Sequence, residues 1–231
     1  MAAGLLALGM LAGCATTGMP GNAGTLRYLA LGDSYTIGEG VAEDGRWPLQ
    51  LARALRDAGI PLADPRIIAT TGWTTDELSA AIDAQEIAGR LNKRFGLVTL
   101  QVGVNDQYRG RDLDDYRAGF AALLERAIGF AGGDAGRVLV LSIPDWGVTR
   151  FGRGSGRDTA AIARELDAYN AAARAACSAR GVAFVDITAA SRTHGAQAAM
   201  LADDGLHPSA AAYADWTQLA LPVARRLLAP R

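Results

Sequence analysis

Tyr28-Leu29-Ala30-Leu31-Gly32-Asp33-Ser34-Tyr35-Thr36 runs from an unbroken apolar block straight into a glycine, an aspartate and a serine. An apolar block without polar alternation suits a strand covered on both faces, which is the condition of a parallel sheet. The Gly-Asp-Ser turn then sets a serine just beyond the strand's carboxyl end, where ligands bind in open α/β sheets.

Working outward, the same alternation repeats. Strands are expected at 27–31, 66–70, 96–102, 137–143 and 182–187. Helices are expected at 47–58, with Pro48 near the first turn and Gly59 just past the end, and from the Thr74-Thr75-Asp76-Glu77 start. Others follow at 114–130, 159–180 and 209–228, the last kinked or interrupted by Pro222. Five near-continuous apolar strands separated by helices imply a three-layer αβα domain around a five-stranded parallel sheet. Gly72 and Asn105, like Ser34, each come just after a strand, so three loops converge on one rim.

Near the C-terminus stands Asp204-Gly205-Leu206-His207. A serine hydroxyl is a poor nucleophile until a base removes its proton, and the base needs a carboxylate to hold its tautomer and its charge. The chain has only two histidines, His194 and His207. His194 lies in a Thr/Gly/Ala stretch with no carboxylate close in sequence and is expected to face solvent. Ser34 with His207 and Asp204 predicts ester hydrolysis by a serine nucleophile.

Four motifs in one order, Gly32-Asp33-Ser34, Gly72, Gly103-Val104-Asn105-Asp106 and Asp204-x-x-His207, resemble those of the SGNH (GDSL-type) hydrolases. The resemblance covers nearly all of 26–231, and four ordered motifs are far more specific than an isolated Gly-Asp-Ser. The G-x-S-x-G elbow of the α/β-hydrolase family is absent, because Thr36 holds its last position. The resemblance implies the flavodoxin-like fold of that family, Ser34 as nucleophile, His207 as base, and Asp204 rather than the adjacent Asp203 as its orienter. It also implies an oxyanion hole formed by the backbone N–H groups of Ser34 and Gly72 and the side-chain amide of Asn105. Asp33 and Asp106 are expected to fix these loops. No cluster has metal-ligand spacing, and the chemistry needs neither a metal nor a cofactor.

The segment 145–156, rich in glycine, has neither dinucleotide-binding nor P-loop spacing. It is expected to be a mobile loop beside the cleft, with Trp146 or Phe151 facing an acyl chain or simply packing. Among 231 residues the formal net charge is −1 and Lys93 is the single lysine, so no basic field points to nucleic acid. A monomer acting on a small-molecule, glycan or lipid ester is expected.

Residues 1–13 read as a signal peptide, with an apolar run from Leu5 to Ala12 too short to span a bilayer. Leu11-Ala12-Gly13-Cys14 resembles the lipobox of bacterial lipoproteins, which implies cleavage before Cys14 and a membrane anchor on it. No Lys or Arg precedes the run, a departure from the pattern, and an ordinary signal peptide with an incidental cysteine is the alternative. Residues 14–25 read as a flexible tether. The expected location is the cell envelope, on the periplasmic face of the outer membrane in a Gram-negative cell. Cys177, in an alanine-rich helical pattern, is expected to be buried and unpaired. Substrate stays open among acyl esters, lysophospholipids, thioesters and carbohydrate O-acetyl groups; a non-catalytic binding role is the third class.

Overall fold

The computed structural model describes Met1, residues 24–91 and residues 94–229. The expected signal peptide, Cys14 and nearly all of the expected tether lie outside the described residues. In chain order the elements are β1 (Leu26–Gly32), α1 (Ser34–Ile37), α2 (Trp47–Asp57), β2 (Leu62–Ala69), α3 (Thr75–Ile87) and β3 (Leu97–Gln101). There follow α4 (Val104–Tyr108), α5 (Leu113–Phe130), β4 (Val138–Leu141), α6 (Arg150–Gly154), α7 (Thr159–Arg180), β5 (Ala183–Val185), α8 (Thr188–His194) and α9 (Ala210–Leu228).

All strands pair in parallel, in the order β2-β1-β3-β4-β5. Helices α2 and α9 pack together on one side of the sheet, and α3, α5 and α7 pack on the other. Every residue of β3 and β4 is buried. That explains their unbroken apolar reading, with Thr99 and Gln101 as exceptions that must find partners. The Tyr28 hydroxyl meets the Thr99 hydroxyl at 3.1 Å. Gln101 accepts from the Trp47 indole at 3.0 Å and donates to the Ser142 carbonyl at 3.2 Å. These bonds tie α2 and the middle of the sheet together just below the rim that carries Ser34.

Gly32 is set by close approach rather than by an unusual torsion. A Cβ there would overlap both the Thr36 hydroxyl and the backbone oxygen of Gln101. The glycine lets β1 end flush against β3, so that the chain can turn at once into α1.

Of the two outcomes expected at Pro222, a kink or an interruption, the interruption does not occur: helix α9 runs through Pro222 to Leu228. Proline removes one N–H and crowds the carbonyl four residues back. Here Gln218 and Pro222 are both exposed, so water can take up that carbonyl. The segment 145–156 is folded rather than an irregular loop: a 3₁₀ turn at Trp146–Val148 leads into α6. Gly152 packs against the backbone of Trp146 and Gly147, leaving no space for a side chain. Cys177 is fully buried, as expected, and free. Among the described residues no helix is long and apolar enough to cross a membrane.

Candidate active site

Four strand ends and the turn before α9 supply one cleft. Ser34, Tyr35, Gly72, Asn105, Tyr108, Trp146, Phe151, Leu206 and His207 all line it. Ser34 sits in the first turn of α1, immediately after β1, with the Asp33 carboxylate accepting the Tyr35 N–H at 3.0 Å. A helical turn begun this abruptly holds the serine at the strand's end instead of letting it swing on a loop. Both Ser34 and His207 are more than nine-tenths buried.

His207 is fixed from three sides. Its Nδ1 lies 2.6 Å from Asp204 Oδ2. The other Asp204 oxygen accepts the backbone N–H groups of Leu206 (2.8 Å) and His207 (3.0 Å). An aspartate bonding two and three residues ahead is an Asx-type turn, which accounts for the short Asp204-to-His207 spacing. The His207 carbonyl accepts from Ala202, and Leu201 bridges Pro208 in antiparallel fashion. Across the ring, Tyr35 makes an edge contact at 5.7 Å between centroids. Burial works against ionisation of Asp204. The bonds from the His207 ring and the two backbone N–H groups outweigh it and hold the carboxyl below its ordinary value. An ionised Asp204 on Nδ1 leaves Nε2 as the nitrogen free to accept a proton.

Opposite the serine, Gly72 adopts φ +89°, a left-handed torsion that disfavours any side chain. Arg109 donates to the Gly72 carbonyl at 2.6 Å while pairing with Glu77 at 3.1 Å, so this peptide is held in one orientation. Asn105 Nδ2 donates to the Trp73 carbonyl at 2.9 Å. An amide nitrogen carries two N–H donors, so one remains for a ligand. Asp106 accepts from the Thr75 N–H (3.1 Å) and hydroxyl (2.8 Å), stitching the Asn105 turn to the start of α3. The loops bearing Gly72 and Asn105 are therefore fastened to each other.

Asp33 and Asp106 are buried neighbours. Burial pushes the Asp33 carboxyl up to about 7, against the Tyr35 N–H bond, and the nearby Asp106 raises it further. Burial likewise raises Asp106, against its bonds from Thr75. A carboxyl that keeps its proton in the fold but loses it when unfolded favours folding at low pH. For Asp33 that contribution is lost as pH climbs from about 4 to about 7. Asp33→Asn keeps an oxygen for the Tyr35 N–H and cannot titrate. Its urea-derived stability should gain on the wild type across this window by on the order of 4 kcal/mol. A difference that stays constant from about pH 4 to pH 8 would contradict this assignment.

His194 is not simply solvent-facing. It is half-exposed, and its Nδ1 lies 2.9 Å from Asp215 Oδ2 on α9. The partner comes from another helix, 21 residues along the chain. The pair stands outside the Ser34 cleft. Sequence reading also missed Gln107, which accepts the Trp146 indole N–H at 2.8 Å and fixes that ring as one wall of the cleft. Of the two aromatics singled out in 145–156, both line the cleft, Trp146 buried and Phe151 partly exposed.

No curated protein sequence matches the chain. Its fold is shared with a lipase/acylhydrolase from Enterococcus faecalis (20% identity, TM-score 0.66, covering 90% of this chain and 99% of that one). The lipase Lip_vut3 from a goat rumen metagenome superposes with TM-score 0.69 at 19% identity, over 88% of this chain and 100% of that one. A variant of an acetyl-xylooligosaccharide esterase from Geobacillus stearmophilus does so with TM-score 0.61 at 20% identity, over 90% and 96%. The profile of one ester-hydrolase family matches residues 30–214, from within β1 to the first turns of α9 and across every loop of the cleft. By that match the chain belongs to the GDSL-like lipase/acylhydrolase family.

Proposed function

We propose that this protein is a serine ester hydrolase working through an acyl-enzyme on Ser34. The observation that carries the reading is the Asp204–His207 bond at 2.6 Å, with the His207 ring lining the same cleft as Ser34, Gly72 and Asn105. In this reading the Ser34 oxygen attacks the ester carbonyl carbon and passes its proton to His207 Nε2. The carbonyl oxygen becomes an oxyanion facing the Ser34 and Gly72 N–H groups and the remaining Asn105 N–H. Collapse expels the alkoxide, which takes the proton from His207, and leaves the acyl group on Ser34. Water, deprotonated by His207, then attacks the acyl carbon and releases the acid. As the resulting tetrahedral intermediate collapses, His207 passes the proton to the departing Ser34 oxygen, so the serine hydroxyl is restored and each half-reaction ends with His207 as it began.

The favoured substrates are acyl esters, lysophospholipids or thioesters, because the cleft walls at Val104, Trp146, Phe151 and Leu206 are apolar. A second reading is carbohydrate O-deacetylation. It is supported by the acetyl-xylooligosaccharide esterase among the shared folds and by the exposed rings of Tyr108 and Phe151 at the cleft, which a sugar face could cover. A panel of p-nitrophenyl esters, lysophosphatidylcholine and acetylated xylan separates the two. Wherever p-nitrophenyl esters are cleaved, rapid mixing should release a burst of p-nitrophenol equal to the enzyme present, followed by slower turnover. Linear release at rates that saturate with substrate, under conditions where deacylation is slowed, would count against the acyl-enzyme.

We further propose export and lipid anchoring through Cys14. One acyl chain binds a membrane marginally, whereas two or more hold it stably. The full chain should incorporate labelled palmitate and fractionate with membranes, and Cys14→Ser should do neither. Absence of label in the wild type would overturn the anchor and leave the ester chemistry untouched.

A further inference from the structure

Asp204 and His207 ride on the tip of a hairpin that closes on itself. Leu201 bridges Pro208, the Ala202 N–H donates to the His207 carbonyl at 2.8 Å, and the Gly205 N–H donates to the Ala202 carbonyl at 2.9 Å. The Asp204 carboxylate accepts the Leu206 and His207 N–H groups from inside the same tip. Such bonds fix the shape of the tip, with Asp204 against His207. They do not fix where the tip stands relative to Ser34, which belongs to α1.

Among the described residues, two hydrogen bonds tie 201–207 to a remote part of the chain, and both come from the first two residues of α6. Arg150 Nη2 donates to the Asp203 carbonyl at 2.8 Å, and the Phe151 N–H donates to the Gly205 carbonyl at 3.0 Å. These are the carbonyls on either side of Asp204. The Arg150 guanidinium also lies against Gly205, where a Cβ would stand 2.4 Å from its Nε. The Tyr35 edge contact, by comparison, bears on the His207 ring alone.

Helix α6 is a firm mount for this grip. Its capping residue, Thr149, accepts the Gly152 N–H at 3.0 Å and donates to the Trp146 carbonyl at 2.7 Å. The Trp146 indole is bonded in turn to Gln107, on the short helix α4 that carries Asn105. The base and the oxyanion donor are thus referred to one framework. Arg150 pairs with no carboxylate among the described residues, so its charge is spent on the Asp203 carbonyl. A hydrogen bond from a charged donor is stronger than one from a neutral donor.

We propose that Arg150 is a positioning residue: by holding the Asp203 carbonyl it sets the Asp204–His207 pair at the distance from Ser34 that proton transfer requires. Resting on the functional reading above, this adds what keeps the base in place. Proton transfer needs heavy atoms within about 3 Å of each other. A misplacement of about 1 Å can cost about 10²-fold, and with the Phe151 bond still made the loss of Arg150 should cost about tenfold.

The test is Arg150→Met, which keeps the side chain long and removes its donors, beside Arg150→Lys, whose ammonium can still donate to the Asp203 carbonyl. Rates on p-nitrophenyl acetate and butyrate are measured, with thermal melting as a check on folding. Arg150→Met should lower kcat about tenfold with KM little changed, and Arg150→Lys should recover part of that loss. In a His207→Ala background Arg150→Met should cost nothing further, because no base is left to position. A fall of the same size in both backgrounds would mark a general structural role and overturn the proposal. So would an unchanged kcat in folded Arg150→Met, a fall confined to KM, or a lysine variant no better than the methionine one. Arg150→Gln, polar but too short to keep the bond, is read by the same criteria if Arg150→Met does not fold. A wild type inactive on every ester, or a His207→Ala protein as active as the wild type, overturns the functional reading itself and the proposal with it.

Discussion

Ser34→Ala or His207→Ala should each lower kcat by roughly 10⁴ to 10⁶, and the double variant should lose little more. In the proposed reaction the nucleophile and its base act as one unit, so removing either removes the same transition-state stabilisation. Asp204→Asn should cost about 10⁴, because an amide on Nδ1 no longer stabilises the ring's positive charge and can favour the wrong tautomer. Folding should be little disturbed in Ser34→Ala, which deletes a single oxygen. His194→Ala provides the contrast. Its ring is bonded to Asp215 outside the Ser34 cleft, so its effect should fall far short of the loss at His207. Steady-state kinetics on folded proteins decide this. A dead His194→Ala beside an active His207→Ala would contradict the assignment of the base.

Asn105→Ala should lower kcat by about 10² to 10³ with little change in KM, the signature of a donor that matters once the oxyanion has formed. The effect should exceed a merely structural one, because the turn keeps a second fastening. Asp106 still holds the Thr75 N–H and hydroxyl after Asn105 loses its bond to Trp73. Asn105→Asp is the sharper variant. It replaces the donor with a negative charge facing the oxyanion, and it should be at least as damaging as alanine. A fall confined to KM would place Asn105 in ground-state binding instead.

Much of this was legible because the physics is local. Buried parallel strands need no polar alternation, so the apolar runs around Leu29, Leu100 and Val140 identify themselves. Asp204 and His207 share one turn, so a carboxylate close to the histidine could be read from the sequence, with the family resemblance choosing Asp204 over Asp203. The helix starting at Thr75 also follows from residues a few positions apart, Thr74 and Glu77.

What escaped was long-range. Nothing near His194 announces Asp215, which arrives on α9 only once α8 and α9 pack together. The Trp146–Gln107 bond joins turns after different strands and depends on their order in the sheet. The glycines of 145–156 suggested mobility, yet Gly152 is small because backbone packs against it. Pro222 left a kink and an interruption both open, and the helix continues because a helix-breaking residue costs less where water can satisfy the carbonyl it strands.

The most direct test of the central claim is to treat the purified protein with a fluorophosphonate and map the adduct by mass spectrometry. One phosphonyl group per chain should appear on the peptide containing Ser34, survive treatment with EDTA, and be missing from Ser34→Ala. Stoichiometric labelling of another serine, such as Ser155 or Ser191, or full activity in a protein that never labels, would contradict it.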